Sequence, residues 1–400
     1  MKKFWSLFLA AVFVAAGVVP AMAGSIDLSG ETRVRYQGDT NYSDFNDDVG
    51  DKNSDIFQRT RVNAKAKVDD QTTAFISLQD TRTWGEEPNS AETASENAAV
   101  DVSQAWLQID NLGPVSLKLG RQPISYGKER LLGAFEWSNN ARRFDAAKVI
   151  YKSEVADVDA FYATTTDSDP NTDGSLSGVY STLKSVPATK IDLYLIQKKK
   201  MDNAGQNFIT YGTRIYGKQM SLDWDVLYAL QSGDSSAGVD KDASALVAAA
   251  GYSVMGVRIG GEYVVGSGDD SGADDKAFDN LYPTNHFKYG VSDIGGNGIN
   301  KEGQKLSNLS AYSINATAKI SKVKLRAEFW DFSYSEDQTV GTLTSDDMGS
   351  EYNIQAWYGL TEKVKLHAEY SVFSPGEIPK ANSGQSADAT RFVLQAHAKF

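Results

Sequence analysis

Residues 391–400 read RFVLQAHAKF, a stretch in which apolar and polar side chains alternate. Successive side chains of a strand point to opposite faces, so Phe392, Leu394 and Phe400 share one face with two alanines. Arg391 and Lys399 lie on the other face, together with a glutamine and a histidine. A transmembrane β-barrel requires this pattern, because one face of each strand meets lipid and the other meets water. The stretch therefore predicts a membrane-spanning strand.

The first 23 residues, MKKFWSLFLAAVFVAAGVVPAMA, have the three parts of a secretory signal peptide. Two lysines precede an apolar run from Phe4 to Val19, and a small-residue site ends at Ala23. We predict cleavage after Ala23, because the apolar run is short for a spanning helix. The alternative is a retained membrane anchor. We assign residues 24–400 to one domain, since no Pro- or Ser-rich linker interrupts them.

The composition excludes several kinds of site. The chain has no cysteine, so it can form neither disulfides nor thiolate metal sites, and three histidines leave little room for a histidine metal site. We predict no metal, no cofactor and no nucleic-acid partner. The mean hydropathy of −0.39 resembles that of a soluble protein. Transmembrane barrels have such values, because half of each strand is polar.

Runs with strand character recur along the whole chain, and we count eighteen of them. They are 26–36, 55–68, 72–83, 100–110, 115–122, 142–152, 155–164, 176–184, 188–197, 208–218, 222–231, 244–253, 255–265, 306–320, 322–334, 350–359, 362–373 and 389–400. Short and long connections alternate between them. Short periplasmic turns and long extracellular loops are typical of bacterial outer-membrane barrels. We therefore predict an all-β fold, a transmembrane antiparallel β-barrel of about 18 strands.

This fold places the protein in the cell outer membrane, in contact with lipid and lipopolysaccharide. The last strand should pair with the first and close the barrel. Phe400 is then a candidate residue of the aromatic girdle at the periplasmic rim. A terminal aromatic on an alternating strand also resembles the signal that the outer-membrane barrel assembly machinery recognises, which makes that machinery a predicted partner.

The negative charge of the chain, −12 in total, is concentrated in the long loops. Examples are DTNYSDFNDDVGDKNSD and GEEPNSAETASEN. Such loops form a solvated outer surface; the alternative is weak binding of divalent cations. The strands and short turns carry a positive excess.

Five arginines, which we call the arginine stripe, have inward parity on three neighbouring strands. They are Arg33, Arg35, Arg59, Arg61 and Arg391. A cluster of this kind in a water-filled pore raises the local concentration of anions. Guanidinium groups also match carboxylates with two parallel hydrogen bonds. The alternative is that these arginines brace the wall by pairing with Asp27, Glu31 or acidic loop residues.

The long connection 123–141, which we call the constriction loop, differs from the acidic loops. It is nearly neutral and carries many apolar and aromatic side chains: Ile124, Tyr126, Leu131, Leu132, Phe135 and Trp137. Such side chains favour a loop that folds into the barrel. We predict that it narrows the pore, with Arg130, Arg142 and Arg143 near the narrowing. The alternative is a loop that only packs against the rim.

The constriction loop and its flanks contain the motifs Gly120-Arg121-Gln122, Tyr126-Gly127, Arg130-Leu131, Gly133, Trp137-Ser138-Asn139 and Arg142 with Phe144-Asp145. Two further stretches are 278–286 in the longest loop and Ser103-Gln104-Ala105-Trp106-Leu107. In these motifs the sequence resembles the bacterial outer-membrane alginate export family. The resemblance implies a passive pore lined by basic residues, which passes an acidic polysaccharide or other anions. With Arg121 from the first motif, the predicted substrate path comprises nine arginines: Arg33, Arg35, Arg59, Arg61, Arg121, Arg130, Arg142, Arg143 and Arg391.

The function that best fits these observations is a passive, anion-preferring outer-membrane channel. A general diffusion porin for small solutes has the same strand pattern. An outer-membrane enzyme is a third hypothesis, based on His367 and His397 near Glu369 and Gln395, but both histidines have inward parity, so we predict no enzyme. A scaffold barrel around a partner protein is the fourth.

Overall fold

The computed structural model describes residues 24–48, 53–86, 89–90, 93–94, 100–166, 174–200, 205–270, 272–293 and 306–400. The predicted signal peptide, residues 1–23, lies outside these ranges. Strands dominate the described residues, which contain one short helix. In the part of the chain that the structure describes, no helix is both long and apolar enough to cross a membrane.

Eighteen strands of the described ranges, named β1 to β18 in chain order, form one antiparallel sheet. They are Ile26–Thr40, Asn53–Lys67, Thr72–Thr83, Asp101–Leu112, Val115–Gln122, Phe144–Lys152, Ala156–Thr166, Gly174–Leu183, Thr189–Lys200, Asn207–Gln219, Leu222–Ser236, Val239–Val254, Val257–Gly266, Leu309–Ile320, Val323–Val340, Leu343–Gly359, Val364–Pro375 and Ala389–Lys399. Helix α1, Glu377–Ser383, lies between β17 and β18. A small hairpin of Asn89–Ser90 and Thr93–Ala94 stands outside the sheet.

The sheet closes on itself because β18 pairs with β1. The register runs from Glu31 opposite Lys399 to Thr40 opposite Thr390. At the periplasmic end, the Gly30 amide donates to the Phe400 carbonyl oxygen over 2.8 Å. Closure leaves neither edge of the sheet unpaired, which is what a sheet in lipid requires. The predicted antiparallel barrel of about 18 strands is therefore confirmed.

The two faces of the wall invert the pattern of a soluble protein, as β16 illustrates. Its outward side chains Tyr352 and Ile354 are 57% and 62% exposed. Its inward side chains Glu351, Asn353 and Gln355 are buried. Apolar groups thus face lipid while polar groups fill the interior, as in known transmembrane barrels. The last strand follows the same rule, since its predicted outward aromatics are exposed.

Turns of two to five residues connect the strands at the periplasmic end. Two connections that we predicted as long extracellular loops are instead strand extensions, because β11 and β12 continue to a turn at Ala237-Gly238 and β15 and β16 to a turn at Gly341-Thr342. The prediction was wrong there because the outer face of a strand is solvated above the membrane, while the inner face packs against loops, as the buried Lys241 and Ala243 of β12 show. The backbone ladder continues while the apolar alternation that reveals it is lost.

Described residues of other long connections pack inside the outer half of the barrel. Phe45, from the connection after β1, stacks on Phe373 with 5.9 Å between ring centroids. Ile378 of α1 is buried beside them. On the other side of the lumen, Leu132 of the constriction loop forms a parallel bridge with Tyr282 of the connection after β13. The apolar core of the molecule therefore lies inside the barrel, above its polar lower half.

Candidate functional site: a basic constriction inside the barrel

The arginine stripe lies on the inner wall where β1, β2 and β18 meet. Arg33 on β1 is opposite Arg59 on β2 and opposite His397 on β18. The five side chains of the stripe are between 2% and 6% exposed. The structure therefore brings these arginines together, as the period-two alternation of the three strands predicted.

Glu31 is the acidic side chain at the centre of the stripe. Its Oε1 accepts from Arg59 Nη2 at 2.8 Å and from Arg61 Nη1 at 3.3 Å. Its Oε2 lies 3.0 Å from His397 Nε2. One carboxylate thus links three adjacent strands. This arrangement is the bracing that the alternative hypothesis described.

The constriction loop enters the barrel and reaches the stripe. We call its residues 136–139 the constriction segment. Arg33 Nη1 and Arg59 Nη1 donate to the carbonyl oxygen of Glu136 at 2.8 and 3.0 Å. Arg35 Nη2 donates to the carbonyl oxygen of Trp137 at 2.8 Å. The guanidinium carbon of Arg35 also lies 3.5 Å from the centroid of the Trp137 ring. The arginines therefore hold the loop by its backbone.

The Glu136 carboxylate contacts three guanidinium groups. It lies 2.7 Å from Arg61 Nη1, 2.6 Å from Arg143 Nη2 and 3.4 Å from Arg59 Nη2. Burial would raise the pKa of Glu136, but Arg143 and Arg61 outweigh burial and hold this pKa below its usual value. Glu136 is therefore an anion at neutral pH.

Arg130 and Arg142 tie the constriction loop to the connection 267–308, which we call the long loop. Arg130 forms an ion pair with Glu262 of β13 and lies 4.8 Å from the centroid of the Tyr289 ring. Burial disfavours the charge of Arg130, but Glu262 outweighs it and raises the pKa of this guanidinium. Arg142 Nη1 donates to the Pro283 carbonyl oxygen at 2.8 Å.

The other two predicted arginines lie at the margins of the site. Arg391 bonds both Asp39 oxygens, at 2.8 and 3.0 Å, and lies 3.0 Å from Asp293 Oδ2. Arg121 is separate from the rest, because it shares the outward parity of Leu119 on β5. There it lies 3.7 Å from Asp145, and its side chain is 46% exposed. The structure thus places Arg121 on the outer face of the wall.

The two loops together cross the lumen. At one end the constriction segment contacts β1 and β2, as described above. At the other end Lys128 forms a 2.9 Å ion pair with Asp225 of β11. Trp137 stacks on His286 of the long loop, with ring centroids 3.7 Å apart. Because β1 and β2 lie across the lumen from β11, the constriction loop narrows the lumen and does not merely rest on the rim.

A cavity of about 650 Å³ lies beside this crossing. Its lining includes six cations and three carboxylates: Arg33, Arg59, Arg61, Lys288, Lys365 and Lys399 with Glu31, Glu129 and Glu136. Trp137, Phe287 and Trp357 add aromatic faces. Lys365 and Lys399 stand at the periplasmic ends of β17 and β18. The cavity is therefore a basic vestibule on the periplasmic side of the crossing.

A histidine cluster in the site was not predicted from the sequence as such. His286 Nδ1 lies 2.7 Å from Asp293 Oδ2, and Glu369 lies 3.5 Å from both His286 Nε2 and His367 Nε2. Burial lowers the pKa of His286, but the two carboxylates outweigh it and raise this pKa above its ordinary value. Within the described ranges, no group of three or more His, Cys, Asp and Glu side chains could hold a metal ion.

The fold and its loop-filled basic lumen define the class of protein as a porin-like outer-membrane channel. The profile of the alginate export family matches residues 25–393, so the chain belongs to that family. A comparison with curated proteins finds no match.

Solved structures from Pseudomonas aeruginosa share the architecture. OccK8 (OprE) is 12% identical, with a TM-score of 0.64 over 94% of this chain and 98% of that chain. OpdK with vanillate is 11% identical, with a TM-score of 0.66 over 94% and 99%. OpdL is 12% identical, with a TM-score of 0.65 over 94% and 99%. At these identities the likeness concerns the fold.

Proposed function

We propose that this outer-membrane channel is passive, prefers anions and passes an acidic polysaccharide. The observation that carries the proposal is the arginine stripe together with the basic vestibule below it. Six cations against three carboxylates around one cavity favour anions over cations. Guanidinium pairs suit the carboxylates of a polyuronate, which is the kind of polymer that the family name indicates.

A second candidate is a channel for small organic anions. The two loops that cross the lumen favour it, because they leave a vestibule of about 650 Å³. Aromatic rings and cations share the lining, which suits a carboxylate on a ring. OpdK, a neighbour in fold, was solved with vanillate, which is such a molecule.

The deciding experiment is planar-bilayer recording of the purified mature chain under a salt gradient. We expect a reversal potential of the sign that marks anion preference. Alginate oligomers should then block the current, whereas neutral maltooligosaccharides of similar length should not. Anion preference with free passage of small carboxylates and no block by oligomers would favour the second candidate. Weak selectivity without block would point to a general diffusion porin.

A variant in which glutamine replaces Arg33, Arg35, Arg59 and Arg61 should have a smaller anion preference, and its barrel should still fold. Four positive charges leave the wall, but the strand ladders of β1 and β2 remain. The reversal potential of the variant measures the effect. Unchanged selectivity in a folded variant would mean that the stripe acts only as bracing.

A further inference from the structure

The Glu136 side chain occupies an unusual position between the wall and the vestibule. The three guanidiniums that it contacts, from Arg59, Arg61 and Arg143, are between 3% and 7% exposed, whereas the Glu136 side chain is 48% exposed. The carboxylate therefore forms the surface of the vestibule, and the guanidiniums lie behind it. If this carboxylate moved away, Arg59 and Arg61, which already line the vestibule, would be more accessible and would keep Glu31 as their carboxylate partner.

Other oxygens of the constriction segment accept hydrogen bonds from the arginine stripe. Arg33 donates to the Ser138 carbonyl oxygen at 3.2 Å and to Asn139 Oδ1 at 2.8 Å, beyond its bond to Glu136. Arg59 also donates to the Ser138 carbonyl oxygen, at 3.0 Å. A short turn segment thus presents several oxygens and one carboxylate to five guanidiniums. An oligosaccharide with ring hydroxyls and a uronic acid would present similar groups.

The guanidiniums around Glu136 still have N–H groups without a hydrogen-bond partner among the described residues. Arg59 Nε, Arg61 Nη2 and Arg143 Nε are buried, and none of them has a hydrogen-bond partner among the described residues. The two oxygens of Glu136 serve three guanidinium groups, and Glu31 contacts only Arg59 and Arg61 among them. A ligand with more oxygen atoms could satisfy these donors better than Glu136 does.

We propose that Arg59, Arg61 and Arg143 form a carboxylate-binding site that Glu136 fills as an internal substitute for the ligand. The proposal rests on the proposed function and concerns its regulation. A uronate carboxylate arriving in the vestibule displaces Glu136, and the constriction segment then loses its ionic hold on β2. Binding of the ligand and widening of the passage are thus coupled, because both require the same guanidiniums.

The test compares the variants Glu136→Gln and Glu129→Gln. Glu129 is the matched control, since it belongs to the same loop, lines the same vestibule and bonds Ser125 Oγ at 2.5 Å. Each substitution removes one negative charge from the vestibule. Only Glu136→Gln removes the carboxylate that occupies the three guanidiniums.

We expect Glu136→Gln to lower the concentration of alginate oligomers that blocks half of the current by about tenfold. A tenfold change corresponds to a gain of about 1.4 kcal/mol in the binding free energy of the oligomer, because Glu136 no longer competes for the guanidiniums. The open-channel conductance in salt alone should rise as well, because the segment is held less firmly. Glu129→Gln should leave the half-blocking concentration within about twofold of the wild-type value, because its effect is limited to the general potential of the vestibule.

Equal half-blocking concentrations for the two variants in anion-selective channels would overturn this proposal and leave the proposed function standing. A wild-type channel without anion preference, or without any response to alginate oligomers, would overturn both. Retention of the folded band in unheated gel samples verifies that each variant barrel has assembled before it is recorded.

Discussion

Individual arginines of the stripe differ in how their charge is balanced. Arg33 and Arg35 donate to neutral oxygens of the constriction segment, which satisfy the donors without cancelling the charge. Arg391, by contrast, is paired with Asp39 and Asp293. Buried hydrogen bonds to carbonyl groups avoid the large cost of an unsatisfied donor. The positive potential of the stripe is therefore less cancelled at Arg33 and Arg35 than at Arg391.

The sequence predicted the positions of these side chains better than their partners. Alternation with period two was sufficient to place Arg33 and Arg59 on the inner wall. The contact of Arg33 with Glu136 spans 103 residues along the chain, so no local pattern could reveal it. For Arg121 the predicted position itself was wrong. It was chosen from a motif, and its parity on β5 puts it on the outer face.

Lys288 gives the channel an expected dependence on pH. Burial lowers the pKa of this lysine to about 8, and the neighbouring Arg130 contributes to the shift. Lys288 is therefore a cation below about pH 8 and neutral above it. Because it lines the vestibule, the preference for anions should fall as the pH rises from about 7 to about 9.

The substitution Lys288→Met should reduce this pH dependence, as measured by reversal potentials across the same pH range. Lys276→Met is the matched control, because Lys276 belongs to the same loop but does not line the vestibule; its side chain is 40% exposed and pairs with Asp270 at 2.6 Å. It should keep the wild-type pH profile. A Lys288→Met channel that titrates like the wild type would assign the pH dependence to another group, such as His286.

The constriction loop as an element shows how apolar content directs a loop inward. Ile124 and Leu132 are fully buried, as their presence in an otherwise acidic set of loops predicted. The contact of the constriction loop with the long loop was not predicted. The bridge between Leu132 and Tyr282 joins two connections whose contact depends on the closure of the whole barrel. Composition was therefore sufficient to place the constriction loop inside the barrel, whereas only the structure identifies the long loop as its partner.

Trp137 is the side chain that locks the two loops together. It lies between Arg35, 3.5 Å from its ring, and His286, 3.7 Å from its ring. A buried cation–π contact contributes about 2 kcal/mol. We expect Trp137→Ala to loosen the crossing and to raise the single-channel conductance on the order of twofold, because the constriction limits ion flow.

The control for this variant is Trp84→Ala, since Trp84 is 53% exposed at the outer end of β3. Its conductance should match that of the wild type. An unchanged conductance for Trp137→Ala in the same recordings would mean that backbone contacts alone hold the loop. The arginine bonds to the carbonyl oxygens of Glu136 and Ser138 would then define the passage.

At the scale of the whole molecule, the extracellular loops and the vestibule inside the barrel have opposite charge. The net charge is −12, and acidic side chains dominate the extracellular loops, whereas the vestibule on the periplasmic side has twice as many cations as carboxylates in its lining. An anionic polymer outside the cell meets a repelling surface, but from the periplasm it meets an attracting one. Fields of this kind change association rates by factors of ten or more at low ionic strength.

This asymmetry predicts that alginate oligomers block the channel at lower concentration from the periplasmic side than from the extracellular side. The oligomers reach Lys365 and Lys399 first from the periplasm, and they need not pass the two loops that cross the lumen. We expect the association rate of block to differ about tenfold between the two sides in low salt and to converge in about 1 M salt, where charges are screened within about 3 Å. Single channels of known orientation measure both rates directly. Equal rates from both sides in low salt would mean that the acidic loops do not control access, and that the arginine stripe is reached with the same ease from either end of the barrel.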